Sequence, residues 1–270
     1  MDRKETKNRK GLEMVALVEE VKNQRDLVFL MHGFGSFKEH PLLVEVAKIF
    51  NENNFTTVRF DTTNSIGEGG GKMENGTVTG YCEDLEDEIG LSGPDNWYQE
   101  PFILIGHSLG GYCVAAYAAK NINKVKGLIL ISPFISGKLF QETDEIRPIL
   151  DEWRKKGIRE WESSSSPGVI KRSKYDFIED GLSHDLLKYA DRIKCPILLI
   201  SGEKDTIVPL EYQKLLFDKL KTQKEHFVVK DGDHYLKNKE KSQELYNIIS
   251  SWIRDYIFSE QEGGDFLKIN

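Results

Sequence analysis

Residues 102–119 read FILIGHSLGGYCVAAYAA, and the fold turns on this stretch. Residues 102–105, Phe-Ile-Leu-Ile, are apolar at every position, as a strand covered on both faces must be. From Leu109 onward, small and apolar residues at helical spacing predict a helix that runs to Lys120. Between strand and helix lies Gly106-His107-Ser108-Leu109-Gly110, which matches G-x-S-x-G in the strand-turn-helix context that gives the motif meaning. Such a sharp turn lifts the serine hydroxyl clear of the sheet, and only small flanking residues avoid a clash in it. Ser108 is therefore the candidate nucleophile. The start of the helix lies beside it, where backbone amides and the helix dipole favour developing negative charge.

Outward from this turn, apolar runs of strand length recur at residues 14–21, 27–31, 56–60, 125–131, 197–200 and 227–229. Helix-period stretches lie between them at 42–51, 81–89, 210–220 and 240–258. This alternation predicts an α/β protein with a mostly parallel central sheet and helices on both faces. The first two runs are joined only by polar KNQRD, too short for a crossover helix, and are expected to be antiparallel neighbours. Residues 135–194 contain no convincing strand and far exceed the usual connection length. They are expected to form a lid inserted into a core made of residues 1–134 and 195–270. Ile146, Ile149, Leu150, Trp153, Ile158 and Trp161 within the insertion recur at near-helical spacing, and SSSSPG at 163–168 reads as a flexible break.

A serine hydroxyl needs a base, and histidine is the usual one because its ordinary pKa lies near neutrality. Of the six histidines, His234 stands in Asp-Gly-Asp-His-Tyr just after the last strand run, at the edge where ligands collect in open α/β sheets. Asp205 closes ILLISGEKD, again a strand running into a loop, and is the candidate orienting acid. The order Ser108, Asp205, His234 is nucleophile, acid, base. The loop His32-Gly33-Phe34-Gly35-Ser36 follows an early strand. It supplies a second oxyanion donor, the Phe34 amide, to act with the Leu109 amide. His32 is expected to hold that loop and His107 to brace the turn.

Together HGFGS, GHSLGG, SGEKDTIVP and the late GDH make the chain resemble the α/β-hydrolase superfamily over residues 14–258. The inserted lid and the HGF loop are most similar to the lidded carboxylesterase branch that includes feruloyl esterases and monoacylglycerol-lipase-like enzymes. Members commonly carry an R-x-D-x-x-G-x-G-x-S-like stretch; Arg59 and Asp61 fit it, and the loop beyond them departs. The resemblance implies hydrolysis of a small-molecule carboxylic ester through an acyl-enzyme, with no cofactor. A thioesterase or acyltransferase and an aminopeptidase-like enzyme use the same machinery, and a non-catalytic binding protein need not keep it complete. Phe140, Trp153, Trp161, Tyr175 and Phe177 in the insertion are the candidate apolar wall for the acyl group.

Composition narrows the partners. The net charge of -7 is spread over interleaved acids and bases, which leaves no basic stripe for nucleic acid. No run approaches a membrane span, and the basic N-terminus, MDRKETKNRK, reads as a solvated, frayed end. Cys82, Cys113 and Cys195 lack disulfide-framework or zinc spacing and fit a reducing cytoplasm. No cluster has metal-ligand spacing. The glycine-rich GEGGGKM at 67–73 matches no phosphate-binding motif and reads as a flexible loop near the mouth of the site.

Overall fold

A computed structural model describes residues 1–163, 168–236 and 239–258. In chain order its strands are β1 (Asp2–Lys7), β2 (Glu13–Glu19), β3 (Asp26–Met31), β4 (Phe55–Asp61), β5 (Phe102–His107), β6 (Val125–Ile131), β7 (Ile158–Glu162), β8 (Ile170–Lys174), β9 (Ile197–Gly202) and β10 (Lys224–Val229). The longer helices are α1 (Pro41–Glu52), α2 (Val78–Ser92) and α3 (Leu109–Lys120). The short α4 (Gly137–Glu142), α5 (Leu150–Lys156) and α6 (Asp176–Gly181) follow, then α7 (Leu210–Lys219) and α8 (Lys239–Trp252). Every apolar run read from the sequence is a strand, because β3, β4, β5 and β9 are buried along their whole length and need apolar side chains on both faces.

One sheet takes the order β1-β2-β4-β3-β5-β6-β9-β10. From β4 to β10 all pairings are parallel, and β1 and β2 add an antiparallel edge. Helices α1 and α8 bury Leu43, Phe50, Ile249 and Trp252 on one face, while α2, α3 and α7 bury Tyr81, Leu85, Tyr112 and Leu216 on the other. This is the α/β-hydrolase architecture. Ser108, Asp205, His234 and the His32–Ser36 loop all lie just past the C-terminal ends of parallel strands.

The expected pairing of the first two strand runs does not form. β4 lies between them, antiparallel to β2 and parallel to β3. The link at residues 20–25 reaches about 20 Å when extended, whereas two strand spacings need only about 10 Å. Its shortness rules out a crossover helix without requiring adjacency.

The N-terminus is also not frayed. β1 pairs with β2 from Asp2↔Val18 to Lys7↔Glu13. Its charged side chains suit an edge strand, and Arg3 pairs with Glu68 at 3.1 Å. The following turn is pinned by Asn8, which donates to buried Asp84 at 2.8 Å and accepts from the backbone N–H of Lys10 and Leu12.

Between β6 and β9 the chain builds α4 to α6 and, against expectation, the β7–β8 hairpin. The expected helical stripe breaks at Gly157, whose left-handed φ of 73° ends α5 while its N–H reaches Trp153 O at 2.8 Å. Ile158 and Trp161 consequently lie on β7. Of the SSSSPG break, residues 164–167 lie outside the described residues. The far end of this segment is tied to the core: Thr79 Oγ1 on α2 donates to Asp180 at 2.6 Å, and Tyr112 on α3 bonds His184 Nδ1 at 3.0 Å. The glycine-rich loop is also held down, for Gly70 N donates to Glu13 O and Glu68 N to Asp61 Oδ2. Among the described residues no helix is long and apolar enough to cross a membrane.

Helix α2 also buries Glu88, and burial pushes its carboxyl up to about 7. The unfolded chain releases this proton near 4.5 and the folded chain holds it to about 7, so stability contributed by Glu88 is lost as pH rises across that window. Glu88→Gln is expected to remove up to about 3 kcal/mol of this pH dependence, measured as urea midpoints between pH 5 and 8. An unchanged slope contradicts the assignment.

Candidate active site

The turn between β5 and α3 holds Ser108 at φ 54° and ψ -120°, a backbone region that a side chain rarely occupies. The backbone is locked there from both sides. Ser108 N donates to Ile131 O at 2.9 Å, and Ser108 O accepts from Tyr112 N at 3.2 Å and Phe134 N at 2.9 Å. The flanking glycines permit it, since a Cβ on Gly106 would lie 2.3 Å from Gly110 O and one on Gly110 would lie 2.4 Å from Met31 O. The motif is thus a packing requirement at both glycines.

Asp205 and His234 come together from the loops after β9 and β10. His234 Nδ1 donates to Asp205 Oδ2 at 2.8 Å, and both side chains are buried. The other carboxylate oxygen, Oδ1, accepts from Ile207 N at 2.9 Å and Val208 N at 2.8 Å, which fixes its orientation. Because an ionised carboxylate only accepts, the proton sits on Nδ1 and the neutral ring offers the Nε2 lone pair. His107 donates through Nε2 to the His234 carbonyl at 2.9 Å. Burial, and next the neighbouring His234, hold the His107 pKa well below the ordinary histidine value. His107 is therefore a neutral brace that ties the loop carrying His234 to the end of β5.

The His32–Ser36 loop meets Ser108 directly: a Cβ on Gly33 would lie 2.9 Å from Ser108 Cβ and 3.4 Å from its Oγ. That approach sets the Phe34 backbone beside the serine. His32 holds the loop, bonding Gly33 O through Nδ1 at 2.8 Å and accepting from Thr62 N at Nε2 at 3.2 Å. Further along, buried Lys38 pairs with buried Asp61 at 2.7 Å, and Arg59 donates to Lys38 O at 3.1 Å. The sequence places Arg59 and Asp61 without revealing this use, which is to anchor the chain leaving the loop.

Ser108, Leu109, Phe34 and His234 line one cavity of about 420 Å³, within the usual range for a small-molecule site. Of the insertion's candidate residues, Phe140, Trp161 and Phe177 line it, and Phe177 stacks on Phe34 with centroids 4.2 Å apart. Trp153 and Tyr175 do not line it. Trp153 donates to Ser173 O at 3.0 Å, and the Tyr175 hydroxyl accepts from Arg154 Nε at 2.9 Å, so both join α5 to the hairpin. Sequence reading missed Phe134 and Ile207 on the apolar wall, and Arg159 and Lys171 on the hairpin side. Among the described residues no group of three or more His, Cys, Asp or Glu side chains is disposed to hold a metal ion.

Residues 22–176, more than half of the chain, match the family model Hydrolase_4, serine aminopeptidase, S33. The chain belongs to this family. It is an α/β-hydrolase of the serine hydrolase class, and the matched stretch contains the His32–Ser36 loop and Ser108. It is 29% identical over 197 residues to bovine palmitoyl-protein thioesterase ABHD10, mitochondrial, covering 73% of this chain and 62% of that protein, less than two thirds of its length. To the monoacylglycerol lipase of Mycolicibacterium smegmatis it is 23% identical over 259 residues, covering 86% and 89% of the two chains. Among solved structures, Est1E from Butyrivibrio proteoclasticus with ferulic acid bound superposes with a TM-score of 0.73 at 19% identity, over 92% of this chain and 96% of that one. This last likeness is one of fold.

The turn at Ser108 predicts that Gly106→Ala, whose methyl would lie 2.3 Å from a backbone oxygen, destabilises the hydrolase. The expected cost is about 2 kcal/mol, read from the urea midpoint. A wild-type midpoint would show that the turn has room the geometry denies it.

Proposed function

We propose that this hydrolase cleaves esters of apolar acyl groups, oxygen esters and thioesters alike, by a two-step acyl transfer through Ser108. The observation that carries the reading is the hydrogen-bonded Asp205–His234 pair, 2.8 Å apart, with His234 on the same cavity as a serine held clear of the sheet. In the first step Ser108 Oγ bonds to the acyl carbonyl carbon while His234 Nε2 takes its proton. The carbonyl π pair moves to oxygen, and the Phe34 and Leu109 amides receive that oxyanion. Collapse of the intermediate expels the alcohol or thiol, protonated by His234, and water repeats the sequence on the acyl-enzyme. Asp205 keeps the imidazole in the required tautomer. No cofactor enters the scheme.

In this reading residues 135–194 are a lid over a core formed by 1–134 and 195–270, and Phe140, Trp161 and Phe177 bind the acyl chain. Two relatives support apolar acyl substrates by name, one a palmitoyl-protein thioesterase and one a monoacylglycerol lipase.

The test is a series of p-nitrophenyl esters from acetyl to palmitoyl beside the matching acyl thioesters. Wild-type kcat/KM is expected to rise with acyl length, because remote binding energy positions the carbonyl. Ser108→Ala is expected to lower turnover at least about a thousandfold without moving the melting temperature. Retention of more than about one per cent of turnover would remove Ser108 as the nucleophile.

A further inference from the structure

The β7–β8 hairpin turns one face to the cavity and one to solvent. Arg159 and Trp161 share the inner face with their cross-strand partners Ser173 and Lys171, while Glu160 and Arg172 face out. The outer pair is satisfied, Arg172 meeting Glu160 at 2.7 Å. Arg159 is different. Its guanidinium carbon lies 4.9 Å from the Trp161 ring centroid and 5.7 Å from that of Trp153. Among the described residues no carboxylate comes within ion-pairing reach of it. The acids on the same cavity have donors of their own: Glu145 accepts from Thr206 Oγ1, Glu162 from Gly168 N, and Asp233 from Tyr235 N.

Half-burying a guanidinium is unfavourable; Glu145, beyond ion-pairing distance, only partly opposes that cost, and the two indoles offset it only through the π face of the cation. Stacking leaves the in-plane N–H edge free, which is the edge that grips a carboxylate or phosphate with two parallel hydrogen bonds. Arg159 lines the same cavity as Ser108 and also borders a second, outer hollow with Trp153, Lys156 and Glu160, so an anion gripped on its inner side is bound together with the reacting carbonyl. Lys171 lines that wall too, its stem packed close to Gly35 of the oxyanion loop, and Lys204 lines the cavity from the loop after β9.

We propose that Arg159 is an anion-binding subsite that recognises a carboxylate or phosphate on the substrate, remote from the scissile carbonyl. The preferred substrates then carry an apolar acyl segment and an anionic end. The anion has two chemical sources, a terminal carboxylate on the acyl group or phosphates on the leaving thiol, and both present the same paired oxygens. The inference rests on the ester and thioester reading above and specifies it.

Two matched pairs test it. One compares the p-nitrophenyl half-ester of adipic acid with p-nitrophenyl hexanoate; the other compares hexanoyl-coenzyme A with S-hexanoyl-N-acetylcysteamine. In the wild-type enzyme kcat/KM is expected to favour the anionic member of at least one pair by about tenfold or more, an advantage that shrinks between 0.02 and 0.5 M NaCl. Arg159→Gln is expected to bring that ratio close to one, and Arg159→Lys to restore part of it. The pair that responds identifies the source of the anion. Neutral members cleaved at least as well as anionic ones in both pairs would overturn the subsite and leave the ester reading standing. So would a ratio that survives Arg159→Gln. Hydrolysis of none of the substrates would defeat the ester reading and the subsite with it. The wild-type ratio and its salt dependence need no variant, so they decide the matter even if Arg159→Gln does not fold.

Discussion

A serine fixed at φ 54° between β5 and α3 is the constraint on which the rest of the site depends. The conformation is costly for any residue with a Cβ. It persists because Ile131, Tyr112 and Phe134 hold the Ser108 backbone while Gly106 and Gly110 let the surrounding chain approach closely. Those contacts come from β6, α3 and the loop after β6, so presentation of the serine requires the parallel sheet. Local sequence supplies the permission for the turn, and tertiary structure supplies the force.

Around the serine, hydrogen bonds and one buried ion pair position the candidate catalytic groups. Asp205 is fixed by two backbone amides before it ever orients His234. His107 and His32 each use a ring nitrogen to tie one loop of the candidate site to its neighbours, and burial lowers the pKa of both. Such rings brace without adding charge. The Lys38–Asp61 pair is the exception, a charged contact with both side chains buried, and Arg59 caps it at the Lys38 carbonyl. It closes the stretch that begins with the His32–Ser36 loop.

Much of this was legible in the residues because the determinants are local. A run such as Ile103–Ile105 has no other way to be buried, G-x-S-x-G needs its two small residues, and the loops carrying Asp205 and His234 follow strands the apolar pattern marks. Strand order was not legible, since what places β4 between β2 and β3 is the return of the chain after α1, and no residue of the link records it. The hairpin was missed because IREWE and IKRSK alternate charges with apolar residues over only a few positions. Ile158 and Trp161 fall by coincidence at near-helical distance from Trp153, although the intervening Gly157 is the stop. Arg159 carried no signal at all, for an arginine among many looks like a solvated charge until the fold sets it between two indoles on the cavity wall.

The proposed chemistry requires Ser108 to be activated by the Asp205–His234 pair, and covalent labelling reads that activation without knowledge of the substrate. Wild-type protein and His234→Ala, both confirmed folded by their melting transitions, would be treated with a fluorophosphonate and mapped by tandem mass spectrometry. A single adduct on Ser108 is expected in the wild type, and its loss, or slowing by at least about a thousandfold, in the variant. An adduct on another residue, no adduct on folded wild-type protein, or equal labelling of the two would contradict the proposed chemistry.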